Sequence, residues 1–228
     1  MWVPATTSPP SLVRSVAEAV ALVPDRATLM VGGFGLVGAP LGLVDGLIEH
    51  TGVTGLTVIS NNLGEPGRGL GRLLLEGRVR KAVGSYFTSN PDVVAAYLDG
   101  RLEIELMPQG TMAEAIRAGG AGIGGFYTRT GYGTALGEGR EMRVIRDEPH
   151  LYQESLRADV ALVRARAADE LGNLVYAKTA RNFNPDMATA ADLVIAEVDE
   201  IVPVGALDPE LIVTPHLFVD VLVPSGGR

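Results

Sequence analysis

Three glycines in Gly33-Phe-Gly35-Leu-Val-Gly38 have the spacing G-x-G-x-x-G, which lets a chain turn tightly and gather backbone N–H groups around an anion. The run follows a short apolar strand pattern and precedes a helical one, the context in which it holds a dinucleotide pyrophosphate. Two features weigh against that use. The same spacing recurs at Gly120-Ala-Gly122-Ile-Gly-Gly125, so in this chain it is cheap. The next strand pattern ends in Ser60-Asn61-Asn62, where a nicotinamide site would carry an acid for the ribose hydroxyls. An NAD(P)-dependent oxidoreductase and a bare tight turn both stay open on the residues alone.

Asn61 and Asn62 stand where a strand should end, opposite that glycine run. Adjacent amides offer donors and acceptors without charge, which suits a carboxylate or a thioester carbonyl, although an Asx turn into Leu63-Gly64 explains them equally well. Gln109, in Pro108-Gln109-Gly110, takes the corresponding place after another strand pattern. Arg68, Arg72, Arg78, Arg80 and Lys81 form the one local basic excess, read as a solvated face with a phosphate tail as the alternative. Arg181-Asn182-Phe-Asn184-Pro185, with Asn173 upstream, reads as a hydrogen-bonded turn network before it reads as a site. His50, His150 and His216 are isolated from one another, so no metal pair is expected, and no Gly-x-Ser-x-Gly elbow is present.

These residues need a frame. Residues 28–31, 56–60, 81–83 and 104–107 are short apolar runs with β-branched character, and strand patterns resume at 160–163, 173–176, 193–198 and 217–223. Between them, Val16, Val20 and Val23 share one helical face, as do Leu43, Leu47 and Ile48. Alternating strands and helices predict an α/β fold, an open, mostly parallel sheet with flanking helices. Pro40 is placed in the first turn of its helix, Thr111-Met-Ala-Glu114 is read as a capping box, and Gly119-Gly120 as a left-handed helix exit. The glycine-dense segment 119–139 is expected to be irregular. No linker divides the chain, so one domain over residues 1–228 is expected, frayed at 1–10 and 224–228.

Composition narrows the function classes. The 228 residues carry 19 Lys+Arg against 27 Asp+Glu, a formal charge of −8, which argues against a sequence-independent grip on nucleic acid. With no cysteine, disulfides, thiolate metal sites and a cysteine nucleophile are all ruled out. The first ten residues lack a basic segment followed by an apolar one, and no run approaches the roughly 18 apolar residues of a membrane helix, so a soluble, cytoplasmic protein is expected.

Seven motifs taken in order carry a resemblance. Val31-Gly-Gly-Phe-Gly-Leu-Val-Gly-Ala-Pro40, Ile59-Ser-Asn-Asn62, Val79-Arg-Lys81, Ser85-Tyr86, Pro108-Gln-Gly-Thr111, Ile116-Arg-Ala-Gly-Gly-Ala-Gly122 and Ala180-Arg-Asn-Phe-Asn-Pro185 together resemble the A (alpha) subunit of family I 3-oxoacid CoA-transferases, the succinyl-CoA:acetoacetate type. The likeness spans residues 11–223. It implies the CoA-transferase fold, a partner in the form of a B (beta) subunit, assembly into A2B2, and CoA as a substrate with no other cofactor. It also implies a ping-pong reaction in which a glutamate of that partner attacks the acyl-CoA thioester, expelling CoA thiolate and forming a mixed anhydride. The thiolate then captures the glutamyl carbonyl, and the acceptor acid regenerates an acyl-CoA.

The family's nucleophile lies in a Glu-Asn-Gly motif, which this chain lacks; Glu65, among glycines after Asn62, is not at a matching position. No nucleophile is therefore expected here. The resemblance assigns Gly32, Gly33 and Phe34 to the loop beneath the reacting carboxylate, and Asn61, Asn62, Tyr86 and Gln109 to orienting the acid and the acyl carbonyl. Four positions depart from the family pattern: Gly124-Gly125 for Pro-Ala, Arg129 for proline and Val213 for histidine. The acetate/butyrate:acetoacetate and 3-oxoadipate branches therefore stay open beside the succinyl-CoA branch.

Overall fold

The computed structural model describes residues 12–226. Among the described residues α1 (Val16–Val20) comes first, followed in alternation by β1 (Thr28–Val31), α2 (Leu41–His50), β2 (Leu56–Ile59), α3 (Leu70–Leu75), β3 (Val79–Gly84), α4 (Pro91–Leu98), β4 (Glu103–Leu106) and α5 (Gln109–Gly120). A three-strand excursion follows, β5 (Gly125–Thr128), β6 (Met142–Ile145) and β7 (Glu148–Glu154). The chain then returns through β8 (Ala158–Asp169), β9 (Leu174–Val175), α6 (Asn184–Thr189), β10 (Ala191–Val202) and β11 (Val221–Pro224).

The main sheet has the order β11-β10-β8-β1-β2-β3-β4, parallel throughout, with β9 antiparallel on β8. Strands β1 to β4 step outward in one direction, and the chain then comes back to the other side of β1 with β8. The order reverses between β1 and β8, so the loop after β1 opens at a topological switch point, where open α/β sheets bind ligands.

Both faces of the sheet are covered, which explains the continuous apolar runs in its strands. Leu29 and Val31 face one core with Leu43, Leu47 and Leu73, while Met30 faces the other with Met112, Ile116 and Met187. The mostly parallel α/β sheet expected from the sequence is the one observed.

Several local expectations change. The segment 119–139 is not wholly irregular: residues 125–128 pair with β7, and β6 pairs with β7 on its other side, giving a separate antiparallel sheet of three strands. Arg146 and Asp147, at φ 51° and 62°, make the two-residue turn between β6 and β7. Thr111 does not cap α5, because the helix already begins at Gln109; the Thr111 hydroxyl is buried within the first turn with no hydrogen-bond partner among the described residues, and Glu114 pairs with Arg117. The capping box forms instead at α1, between Ser15 and Glu18.

Gly119 and Gly120 remain helical, and the left-handed exit falls to Gly122 at φ 71°. Their lack of a side chain serves packing: a Cβ at Gly119 would overlap the Leu156 carbonyl, and one at Gly120 the Thr189 hydroxyl. Pro40 stands at the N-cap of α2, one residue outside its first turn. In the predicted strand 217–223, residues His216–Phe218 form a 3-10 turn and the paired strand is confined to Val221–Pro224. Pro224 and Ser225 are not frayed, since the Ser225 N–H donates to the Val198 carbonyl at 2.7 Å. Residues 1–11 and 227–228 lie outside the described residues.

Candidate functional site

The carboxyl ends of four adjacent parallel strands bring the singled-out residues to one edge of the sheet: residues 32–40 after β1, Asn61 and Asn62 after β2, Ser85 and Tyr86 after β3, and Gln109 after β4. Ser60 ties two of these ends together by donating its hydroxyl to the Val31 carbonyl at 2.8 Å. The Asn61 carbonyl accepts the N–H groups of both Ser85 and Tyr86 at 3.1 Å.

Asn61 is 2 % exposed and its amide nitrogen donates to Ser85 Oγ at 3.0 Å and to Gln109 Oε1 at 3.2 Å. It therefore shapes its neighbours from within the wall. Asn62 accepts the Gly64 N–H at 3.1 Å, the Asx turn that was one of its two readings. Gln109 is exposed at the first residue of α5, and no described residue hydrogen-bonds its Nε2. Phe34 and Tyr86 are 50 % and 56 % exposed, so two aromatic rings stand at the rim.

The loop after β1 is not an open anion nest. The Gly32 N–H donates to the Leu162 carbonyl, the Gly33 N–H to Asn182 Oδ1 at 3.0 Å and the Phe34 N–H to the Val37 carbonyl. The start of α2 is also occupied: Glu197, 4 % exposed on β10, accepts the Leu43 N–H at 3.0 Å. Burial raises the Glu197 pKa, while that N–H and the Arg164 guanidinium at 3.6 Å favour its charged form. A pyrophosphate seated there would meet a buried carboxylate, and the N–H groups of Gly32, Gly33, Phe34 and Leu43 are already in use. These contacts add to the case against the dinucleotide alternative for the loop 33–38.

The remaining polar clusters resolve as structural. Lys81 bridges Glu103 and Glu105, which raise its pKa, with the Glu105 hydrogen bond the larger influence. Arg72 pairs with Asp45 and Glu49, Arg80 with Glu103, and Arg78 donates to the carbonyls of Val53 and Thr51. Glu65 is exposed and paired with Arg68 at 3.3 Å. Asn173 belongs to a different turn, where its amide donates to Asp169 Oδ2 at 2.7 Å. His150 Nδ1 lies 2.8 Å from its neighbouring Glu148 carbonyl, and His50 ends α2.

Asn182 and Asn184 form the turn network their spacing suggested, but one with a long reach. Besides its own turn, it holds the glycine loop more than 140 residues earlier, through Gly33, Val37 and Gly38. Sequence reasoning missed this reach, together with Ser85 as a partner of Asn61 and Glu197 beneath α2; none of the three has a motif that announces its partner.

A family model described as Coenzyme A transferase matches residues 13–225. The chain belongs to the coenzyme A transferase family. It is 51 % identical over 207 residues to the A subunit of the succinyl-CoA:3-ketoacid coenzyme A transferase of Xanthomonas campestris pv. campestris (strain B100), covering 91 % of this chain and 85 % of that one. It is 48 % identical to the A subunit of the 3-oxoadipate CoA-transferase of Pseudomonas putida, covering 94 % and 93 %. Against the alpha subunit of the acetate CoA-transferase of Escherichia coli (strain K12) it is 44 % identical, covering 93 % and 96 %. An acyl-CoA transferase from E. coli O157:H7, solved as a thioester complex with CoA, shares the fold at a TM-score of 0.87 and 23 % identity, over 97 % of this chain and 52 % of that one. The transferase fold implied by the motifs is thus the fold of this chain, and no similarity supports the oxidoreductase alternative.

Proposed function

We propose that this chain is the A subunit of a heteromeric CoA-transferase that moves CoA from succinyl-CoA, or another short acyl-CoA, to a 3-oxoacid such as acetoacetate. The observation that carries this reading is the placement of Gln109: its Oε1 is held by Asn61, and its Nε2 is left for a substrate at the strand ends. A donor fixed in this way suits the oxyanion that develops when a carboxylate attacks a thioester, or a thiolate attacks a glutamyl carbonyl. Phe34 and Tyr86 line the rim, and the loop of Gly32 and Gly33 lies beneath. Asn62 bounds the site through its turn.

The chain supplies no nucleophile in this scheme. Glu65 is a surface ion-pair partner of Arg68, and Glu197 is engaged under α2. The attacking glutamate belongs to a B subunit, in an A2B2 assembly, and CoA enters as substrate without any resident cofactor. CoA is polyanionic and this chain carries −8, so most of the grip on its phosphates falls to the partner. Among the described residues no helix is long and apolar enough to cross a membrane, in keeping with a cytoplasmic enzyme.

Co-expression with a B-subunit homologue tests the proposal. The chain alone should be inactive, and the pair should form acetoacetyl-CoA from succinyl-CoA. Borohydride reduction of the enzyme–CoA thioester should label a partner glutamate; labelling of Glu65 would overturn the assignment. The 48 % identity to a 3-oxoadipate enzyme makes that acid the first alternative acceptor to assay, with acetate next.

A further inference from the structure

We propose that Asn182 is a positioning residue for the transferase site, fixing the shape of the loop 33–38 from behind. The inference rests on the reading that this loop lies beneath the reacting carboxylate.

The loop has little to hold it from within. Gly33, Gly35 and Gly38 all have positive φ, at 123°, 61° and 71°, and the Phe34–Val37 pairing closes only its tip. Glycines in such conformations are as free in the unfolded chain as anywhere, so a fixed loop needs outside contacts. Asn182 supplies them at both ends: its Oδ1 accepts the Gly33 N–H at 3.0 Å, and its Nδ2 donates to the Val37 carbonyl at 2.9 Å. The same oxygen accepts the Phe183 N–H at 2.8 Å, which fixes the side chain against its own backbone.

Behind it stands Asn184, fully buried, which donates to the Gly38 and Ala180 carbonyls at 3.0 Å and accepts the Arg164 N–H of β8 at 2.9 Å. The loop is thereby referenced to β8, the strand beside β1 at the switch point. Asn182 itself sits at φ 24° and ψ −122°, outside the left-handed helical region and a conformation suited to glycine rather than to a side chain. A strained backbone position whose amide makes these long-range bonds is explained by the loop it holds at Gly33 and Val37.

Asn182→Gly tests this cleanly, because glycine accepts the backbone conformation while the amide is deleted. In the assembled A and B pair, the variant should keep its melting temperature within a few degrees and its assembly intact. Hydrogen exchange across residues 33–38 should accelerate, and kcat should fall about tenfold or more with KM for the acyl-CoA little changed, as expected when reacting groups are misplaced rather than unbound. Asn182→Asp keeps the acceptor to Gly33 but sets a carboxylate oxygen against the Val37, Thr179 and Ala180 carbonyls, so it should lose at least as much kcat as Asn182→Gly.

A kcat within about twofold of wild type in Asn182→Gly would overturn the proposal, as would a loss that only follows loss of assembly. If Asn182→Gly does not assemble, Asn182→Asp decides, and wild-type kcat with wild-type exchange in that variant overturns it. A wild-type pair without transferase activity would sink the functional reading instead. Exchange at 33–38 would then still decide the clamp: unchanged protection in Asn182→Gly overturns it.

Discussion

The side-chain amide of Asn61 donates to Gln109 Oε1 at 3.2 Å and to Ser85 Oγ at 3.0 Å, so a buried residue decides which end of an exposed glutamine faces the site. The Gln109 Nε2 is thereby presented as a donor before substrate arrives, and preorganisation of this kind is what makes an oxyanion donor effective. Gln109→Ala in the assembled pair should lower kcat by about 10²-fold or more, with KM changing far less. Steady-state kinetics with succinyl-CoA and acetoacetate check this, and an unchanged rate would reduce Gln109 to a helix-start residue.

Asn61→Asp provides a sharper test of the same relationship. A carboxylate at position 61 repels Gln109 Oε1 and attracts Nε2, turning the glutamine donor away from the substrate. We therefore expect Asn61→Asp to lose as much kcat as Gln109→Ala, and the double variant to be little worse than either alone. Additive losses would mean that the two residues act independently.

The fold was legible because a sheet covered on both faces writes itself as apolar runs such as Leu29-Met30-Val31, whatever lies beyond it. The positions after the runs were legible for the same reason, since Asn61, Tyr86 and Gln109 must stand at strand ends once the strands are placed. The partners of those residues were hidden. Gly33 meets Asn182 across 149 residues, a contact set by the return of the chain to β8 and by no local pattern. The small sheet was obscured by glycines that local reasoning treats as breakers, although Phe126, Tyr127 and Thr128 beside them favour a strand. Thr111 misled because an S/T-x-x-E pattern occurs one helical turn too late, after Pro108 has already set the start of α5.

Two glycine substitutions in the loop should separate close approach from backbone freedom. A Cβ on Gly32 would overlap the buried Asn184 amide, whereas a Cβ on Gly35 meets nothing within 4 Å. Gly35→Ala should lose only about 1–2 kcal/mol, the cost of a left-handed conformation for a non-glycine residue. Gly32→Ala must displace Asn184 from its bonds to Gly38 and Arg164, so its melting temperature should fall well below that of Gly35→Ala. Equal shifts in thermal denaturation would contradict the packing described.

Burial raises the Glu197 pKa above its ordinary value of 4.5, the largest influence on that group, against the opposing Leu43 N–H and Arg164. A carboxylate with a raised folded-state pKa binds its proton more tightly in the native chain than in the unfolded one. Its contribution is therefore favourable below pH 4.5 and is lost as pH rises through the folded value. Glu197→Gln removes this term and still offers an oxygen to the Leu43 N–H, while Arg164 retains Asp199 at 2.7 Å. Denaturant unfolding should show the variant gaining stability relative to wild type as pH is raised from 4 toward 7, and a constant difference across that range would mean that the Leu43 N–H and Arg164 fully offset the effect of burial on Glu197.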